Sequence, residues 1–310
     1  MGFSDDAIDA ALREVVLGSV ESVGQVRRGP DGIVARGATG ATGRNDRYPS
    51  IYVGLDARIR MQIGLTVGDS LERTERTTAG FDLAELSIGE GRDPDAIDTA
   101  RLEAILADAN VDLCVHLPFE QVVVTPVPEI NNAIVDYLSR LLEWAGGVGA
   151  EKAVLHGTAR NPHDTDLRPR FADQLTSIAS AGDDADVELV VENVGHQKRG
   201  YPLSVLGDLA RETGTPVCFD VGHAYMEDGT DGIDRFLSSY GDLVSHLHVH
   251  DARSRGDTHL PIGAGEIDYG LVAEHLAGFD GTVAIEVFTD DVALLRDTAR
   301  RVETALEADE

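Results

Sequence analysis

Between positions 116 and 286, histidines and carboxylates recur at the ends of short apolar runs. They are His116, His156, Glu192, Asp220 with His223 three residues on, then His246, His248, His250 and Asp251, then Asp257 and His259, and last Glu286. A buried parallel strand should read as continuous Val, Ile and Leu. An ionisable group at its end costs desolvation unless it is paired or bound to a metal. Singly, each has a plain explanation: a strand-end His hydrogen-bonds locally, and a strand-end Asp or Glu caps the next helix. Together, mixed imidazole and carboxylate donors on successive strands suit a divalent metal. Zinc or manganese fits best, and cobalt, magnesium and iron are also compatible. We expect one to three ions. Residues 246, 248 and 250 share strand parity, so all three point to one face at different depths. Periodicity does not choose the ligand among them.

Such a site needs elements that bring distant residues to one rim. From Met61 onward, β-rich runs alternate with helical stretches: MQIGLTV, LAELSI, VDLCVHLPF, EKAVLHG, VELVVENV, TPVCFDVGHA, VSHLHVHDA and TVAIEVF, each followed by an amphipathic segment. Alternation of this kind implies a parallel sheet. Eight units in roughly 250 residues is the size of a (β/α)8 TIM barrel, whose active sites lie at the carboxyl ends of the strands. A doubly wound sheet would need an early glycine-rich βα turn. The nearest match, Gly263-Ala264-Gly265-Glu266, comes late, lacks a third glycine and reads as a turn.

Composition bounds the rest. The chain has 310 residues, 42% of them hydrophobic, and a net charge of −29 from 55 acidic and 26 basic residues. Lys152 and Lys198 are its two lysines. Such a surface repels phosphate backbones and anionic membranes at ordinary salt. Acid-rich, lysine-poor composition also resembles cytoplasmic proteins of salt-loving microbes, where high salt screens the repulsion. Nucleic acid is thus disfavoured as a partner without being ruled out. No apolar run suits a membrane span and no signal peptide is visible, so the expected location is cytoplasmic. Cys114 and Cys218 sit in apolar runs and read as buried thiols. Oligomeric state is left open, a homo-oligomer included.

Residues 1–60 carry eight acidic and eight basic residues, so the whole net charge falls on 61–310. The segment is glycine-rich and lacks sustained periodicity beyond a short helix near 5–17. We expect an N-terminal extension that is disordered or precedes the true start, with the barrel occupying 61–310. A small regulatory or dimerisation element is the alternative.

In this order, VHLPF, VLHG, VVEN, CFDVGHA, HLHVHD, DTHLPIGAGEID and AIEVF resemble the xylose isomerase-like TIM-barrel superfamily. That group includes sugar and sugar-phosphate isomerases and epimerases, and AP endonucleases of the endonuclease IV type. The resemblance covers Met61 to the end. It implies an epimerase-type metal site on Glu192, Asp220, His248 and Glu286, with His248 preferred because it lies three residues before Asp251. His223 matches a residue close to substrate or to a further metal. The endonuclease IV type adds ligands that fall on His116, His156, His223, Asp257 and His259. Three departures weigh against DNA: the first strand lacks a histidine, the loop IGEGRDPDAID is acidic, and Phe119 replaces a tyrosine.

The first functional expectation is a metal-dependent isomerase or epimerase of a sugar, sugar phosphate or related hydroxy-carbonyl compound. Glu192 and Glu286 would remove and return a carbon-bound proton through a metal-stabilised enediolate. His223, His250 and Arg253, with Arg255 nearby, are candidates for binding a carbohydrate-like substrate. His163 and His275 are assigned to solvent, and His196 and Arg199 to the surface. The alternative is a metal-dependent phosphodiesterase acting on abasic DNA.

Overall fold

The apolar runs after Met61 become strands buried on both faces, as a parallel sheet wrapped by helices requires. The computed structural model describes residues 23–29, 32–37, 61–89, 94–254 and 256–306. The chain divides into two compact units, Met1–Arg60 and Met61–Glu310. In the first, β1 (Val23–Gly29) and β2 (Gly32–Gly37) form an antiparallel hairpin. The expected helix near 5–17 lies outside the described residues.

The second unit is the expected (β/α)8 barrel. Its strands are β3 (Gln62–Gly68), β4 (Leu83–Ser87), β5 (Asp112–His116), β6 (Ala150–His156), β7 (Glu188–Glu192), β8 (Val217–Asp220), β9 (Val244–Val249) and β12 (Thr282–Ile285). All pair in parallel, in sequence order, and β12 closes on β3 and β9. The helices are α1 (Leu71–Thr77), α2 (Thr99–Ala109), α3 (Pro128–Gly147), α4 (Arg168–Asp184), α5 (Leu203–Thr213), α6 (Val221–Tyr240), α7 (Tyr269–His275) and α8 (Val292–Leu306). Sequence punctuation sets their ends. Ser70 and Asp98 accept backbone N–H bonds as N-caps, and Gly214 ends α5 in the left-handed conformation. Among the described residues, no helix is long and apolar enough to cross a membrane.

The main apolar core lies between ring and helices, for example Leu65, Val115, Leu155, Phe171, Leu206, Phe219 and Val283. Inside the ring, two small groups form a floor: Leu83, Cys114 and Ala284, and Val154, Val190 and Cys218. Both cysteines are free and buried, as expected. Side chains alternate along a strand. Two residues beyond Cys114, Val154, Val190 and Cys218 therefore come His116, His156, Glu192 and Asp220, on the same inner face and one layer higher. Ring closure aligns them, with His156 paired to Glu192 and Asp220 to His248 in register.

Between β9 and α7 the chain makes a second hairpin, β10 (Asp251–Arg253) with β11 (Gly256–Leu260). Asp251 organises the stretch from this hairpin to α7. Its carboxylate accepts backbone N–H bonds from Ala252, Gly263, Gly265 and Ile267 at 2.8–3.1 Å. The Gly263–Glu266 stretch is accordingly a turn.

Close packing inside the ring makes one substitution diagnostic. A Cβ added at Gly64 would sit 2.1 Å from the carbonyl oxygen of Leu83. Gly64→Ala is expected to cost about 1–3 kcal/mol by overpacking. Urea unfolding should show a lower midpoint at unchanged slope; an unchanged midpoint would contradict this packing.

Candidate metal centre

The elements converge their chemistry at the carboxyl ends of β5 to β9 and β12. Asp220 is held most firmly, because α6 begins directly after β8 and Asp220 is its N-cap. Its Oδ1 accepts the His223 backbone N–H at 2.6 Å. Asn193 clamps the same strand end, accepting from the Asp220 N–H at 2.9 Å and donating to its carbonyl at 2.8 Å.

Three donor groups share members. In the first, the Nε2 atoms of His116 and His156 each lie 3.2 Å from Glu192 Oε2. Their Nδ1 atoms face the carbonyls of Leu117 and Phe119 at 2.8 and 2.9 Å. A carbonyl can only accept, so both rings carry a proton on Nδ1. Each Nε2 then meets a carboxylate oxygen, which is favourable only with a further proton or a cation between them. In the second group, His248 Nδ1 lies 3.4 Å from Glu192 Oε1 and 3.6 Å from Glu286 Oε1. His223 Nδ1 lies 3.0 Å from Asp220 Oδ2 and 3.6 Å from Glu192 Oε1. In the third, Asp257 approaches His223 Nε2 at 3.4 Å and His259 Nε2 at 2.8 Å. His259 Nδ1 donates to the Glu286 carbonyl at 2.9 Å.

Four buried atoms here lack a hydrogen-bond partner: Asp220 Oδ2, His223 Nδ1, His248 Nδ1 and His250 Nε2. Unsatisfied buried polar atoms are costly and call for an explanation. Carboxylate oxygens and imidazole nitrogens turned toward one another without hydrogen-bond geometry are the donor chemistry of a divalent cation. The residues present therefore fit the expected ion.

The electrostatics agree. Burial alone pushes the Glu192 carboxyl up, but the charges of His156 and His248 and the bonds from His116 and His156 hold it well below the usual range. Asp220 behaves likewise against His223 and His250. Burial lowers His248, but Cys218 and the carboxylates of Glu85, Glu286 and Glu192 raise it well above an ordinary histidine. Asp220 does the same for His223 against burial.

All nine ligand candidates thus meet at one rim: His116, His156, Glu192, Asp220, His223, His248, Asp257, His259 and Glu286. His250 is wholly buried, stacked on His259 with ring centroids 4.0 Å apart and with Nε2 3.2 Å from Asp220 Oδ1. Its ring joins His223, Asp257 and His259 as a further possible donor in the third group. Arg253 is exposed and donates to the Ala264 carbonyl at 2.7 Å. Arg255 is outside the described residues. His163 and His196 are exposed, and His275 pairs with Asp234.

Two participants escaped the sequence reading. Lys198, in the short turn after β7, places Nζ 3.0 Å from Asp257 Oδ2 and 3.2 Å from His223 Nε2. Its rarity in the composition was the available signal. Glu85, on β4, is fully buried and contacts both His246 and His248 at 3.1 Å. A lone carboxylate inside a buried strand was its signal.

Barrel and rim together make a TIM barrel whose carboxyl end gathers groups that could hold a metal. The model for the family described as xylose isomerase-like TIM barrel matches residues 77–308, and the chain belongs to that family. An uncharacterised protein of Methanocaldococcus jannaschii is 24% identical over 57% of this chain; the match spans 64% of that relative's length. A probable endonuclease 4 of Symbiobacterium thermophilum is 26% identical over 66% of this chain and 81% of its own. The fold is also similar to that of an L-ribulose 3-epimerase, with TM-score 0.67, 21% identity and coverage of 80% of this chain and 95% of that one. A Thermus thermophilus protein soaked with zinc chloride is similar as well, with TM-score 0.60, 24% identity and coverage of 77% and 97%.

Because His223 and His248 hold protons tightly, a cation must displace them. Ion affinity should rise with pH through and above the ordinary histidine range, with proton release on binding. Calorimetric titration with zinc or manganese in buffers of different ionisation enthalpy reads that release. Affinity that is independent of pH and buffer would contradict the donor assignment.

Proposed function

We propose that the chain is a divalent-metal-dependent isomerase or epimerase of a sugar, sugar phosphate or related hydroxy-carbonyl compound. The observation that carries this reading is the convergence of Glu192 and Glu286 on one ring nitrogen of His248, at 3.4 and 3.6 Å. Glu192, Asp220, His248 and Glu286 would hold an ion there. When bound, it supplies a Lewis acid that polarises a carbonyl and the neighbouring hydroxyl.

The chain's own groups divide the remaining work. Glu286 is the more open of the two carboxylates and takes the carbon-bound proton; Glu192, walled in by imidazoles, returns it from its own side. The two arrive from strands separated in the ring by β8 and β9, so they face the reacting carbon from different walls. His223 and Lys198 stand where they can hold a substrate hydroxyl or phosphate. Phe119 and Phe288 are exposed at the lip, against His156 and His259. They offer apolar faces to a sugar ring and keep water from the carbanion-like centre. The sugar epimerases among the structures of similar fold support the same reading.

A second reading, phosphodiester cleavage at abasic sites, has one observation in its favour. The three donor groups offer more ligands than one ion needs, as the endonuclease 4 relatives would suggest. The −29 charge opposes it.

One comparison separates the two. The metal-loaded protein is incubated in high salt with a ketose panel in deuterated water, and separately with an abasic-site duplex. Deuterium incorporation into a sugar is expected, and it should fall about a hundredfold or more in Glu286→Gln with the fold retained. Multiple-turnover cleavage of the duplex without exchange into any sugar would overturn the proposal.

A further inference from the structure

Glu85 is a fully buried carboxylate near the centre of the ring, below the metal-binding rim. Its surroundings account for every lone-pair direction it uses. Oε1 accepts the Thr66 hydroxyl at 3.2 Å. Oε2 faces His246 Nε2 and His248 Nε2, each at 3.1 Å. A carboxyl that receives three donors has no need of a proton of its own, so both rings present Nε2–H to it. The other side of each ring agrees. His246 Nδ1 lies 2.6 Å from the Thr282 hydroxyl, which can donate to a bare nitrogen. His248 Nδ1 has no hydrogen-bond partner and faces Glu192 and Glu286.

We propose that Glu85 is a positioning residue that fixes the proton of His248 on Nε2 and so turns its Nδ1 lone pair to the ion at the rim. Metal-ligating imidazoles commonly donate their second N–H to a carboxylate, which sets tautomer and orientation and raises ligand basicity. Here the carboxylate comes from β4, a strand that supplies none of the nine rim ligands. His246 and Thr282 act as the lateral brace: the His246 ring lies between the Thr282 hydroxyl and Oε2. The inference rests on the metal-binding part of the proposed function and on neither substrate.

The test reads the ring and the ion directly, without turnover. In protein labelled with nitrogen-15 histidine and loaded with zinc, His248 should show a metal-bound Nδ1 and a protonated Nε2. Zinc on Nε2 would overturn the proposal. The tautomer is also read without metal, above the titration of the ring, so failure of zinc to bind would sink the metal centre and still leave the Glu85 pairing judged by itself.

Variants add a graded readout against a chromophoric chelator. Glu85→Leu removes every acceptor and should weaken zinc binding about 10- to 100-fold. Glu85→Gln keeps a carbonyl oxygen toward both imidazoles and can turn its amide to Thr66, so it should lose clearly less. In a His248→Gln background, Glu85→Leu should have no further effect on affinity, because its route to the ion is gone. A merely structural role would lower the folded fraction while leaving affinity per folded molecule unchanged. That result, or an undiminished effect in the His248→Gln background, would contradict the inference.

Discussion

A carboxylate oxygen buried against an imidazole nitrogen needs a proton or a cation between them. That constraint governs this molecule more than any single fold contact. Glu192 alone is approached by His116, His156, His223 and His248 within 3.2–3.6 Å. In an apolar interior, an unpaired carboxylate would be prohibitively costly. Either the rings carry protons or a divalent ion takes their place. The strand ends, the tight β8–α6 junction and the Glu85 brace all serve to hold those atoms at that separation.

Much of this was legible from the residues of the chain. Eight alternating β-rich and helical segments after Met61 correspond one for one with the barrel units, because strands buried on both faces leave continuous Val, Ile and Leu runs. His116, His156, Glu192, Asp220 and Glu286 stood out because each interrupts such a run near its end. Parity placed His246, His248 and His250 on one face. It could not say that His246 would reach Glu85, that His248 would reach the rim or that His250 would sit under His259, since depth depends on stagger between strands. Glu85 escaped notice because LAELS reads as an ordinary strand with one polar residue. The β10–β11 hairpin escaped because ARSRGDTHL lacks alternation; its shape comes from the Asp251 carboxylate gripping backbone N–H groups as far on as Ile267.

The distribution of charge separates binding of an ion from binding of a polyanion. The rim sets carboxylates among imidazoles, a donor set for cations, while the chain as a whole carries a net charge of −29. Lys198 places an ammonium at the mouth, bound to Asp257 and facing His223. A small substrate can enter such a mouth with its own hydroxyls or a single phosphate directed at that ammonium. A nucleic acid backbone would meet the repulsion of a net charge of −29. The same reasoning explains why donor groups sufficient for several ions do not by themselves make a nuclease: the chemistry of the floor and the reach of the walls are separate properties of a TIM barrel.

The most direct test of this account is an anomalous-scattering map from a crystal soaked in zinc or manganese. The account predicts a peak enclosed by Glu192, Asp220, His248 and Glu286, with donor atoms at about 2.0–2.2 Å in the zinc case. A map with no density there, or with peaks confined to exposed carboxylates, would contradict it.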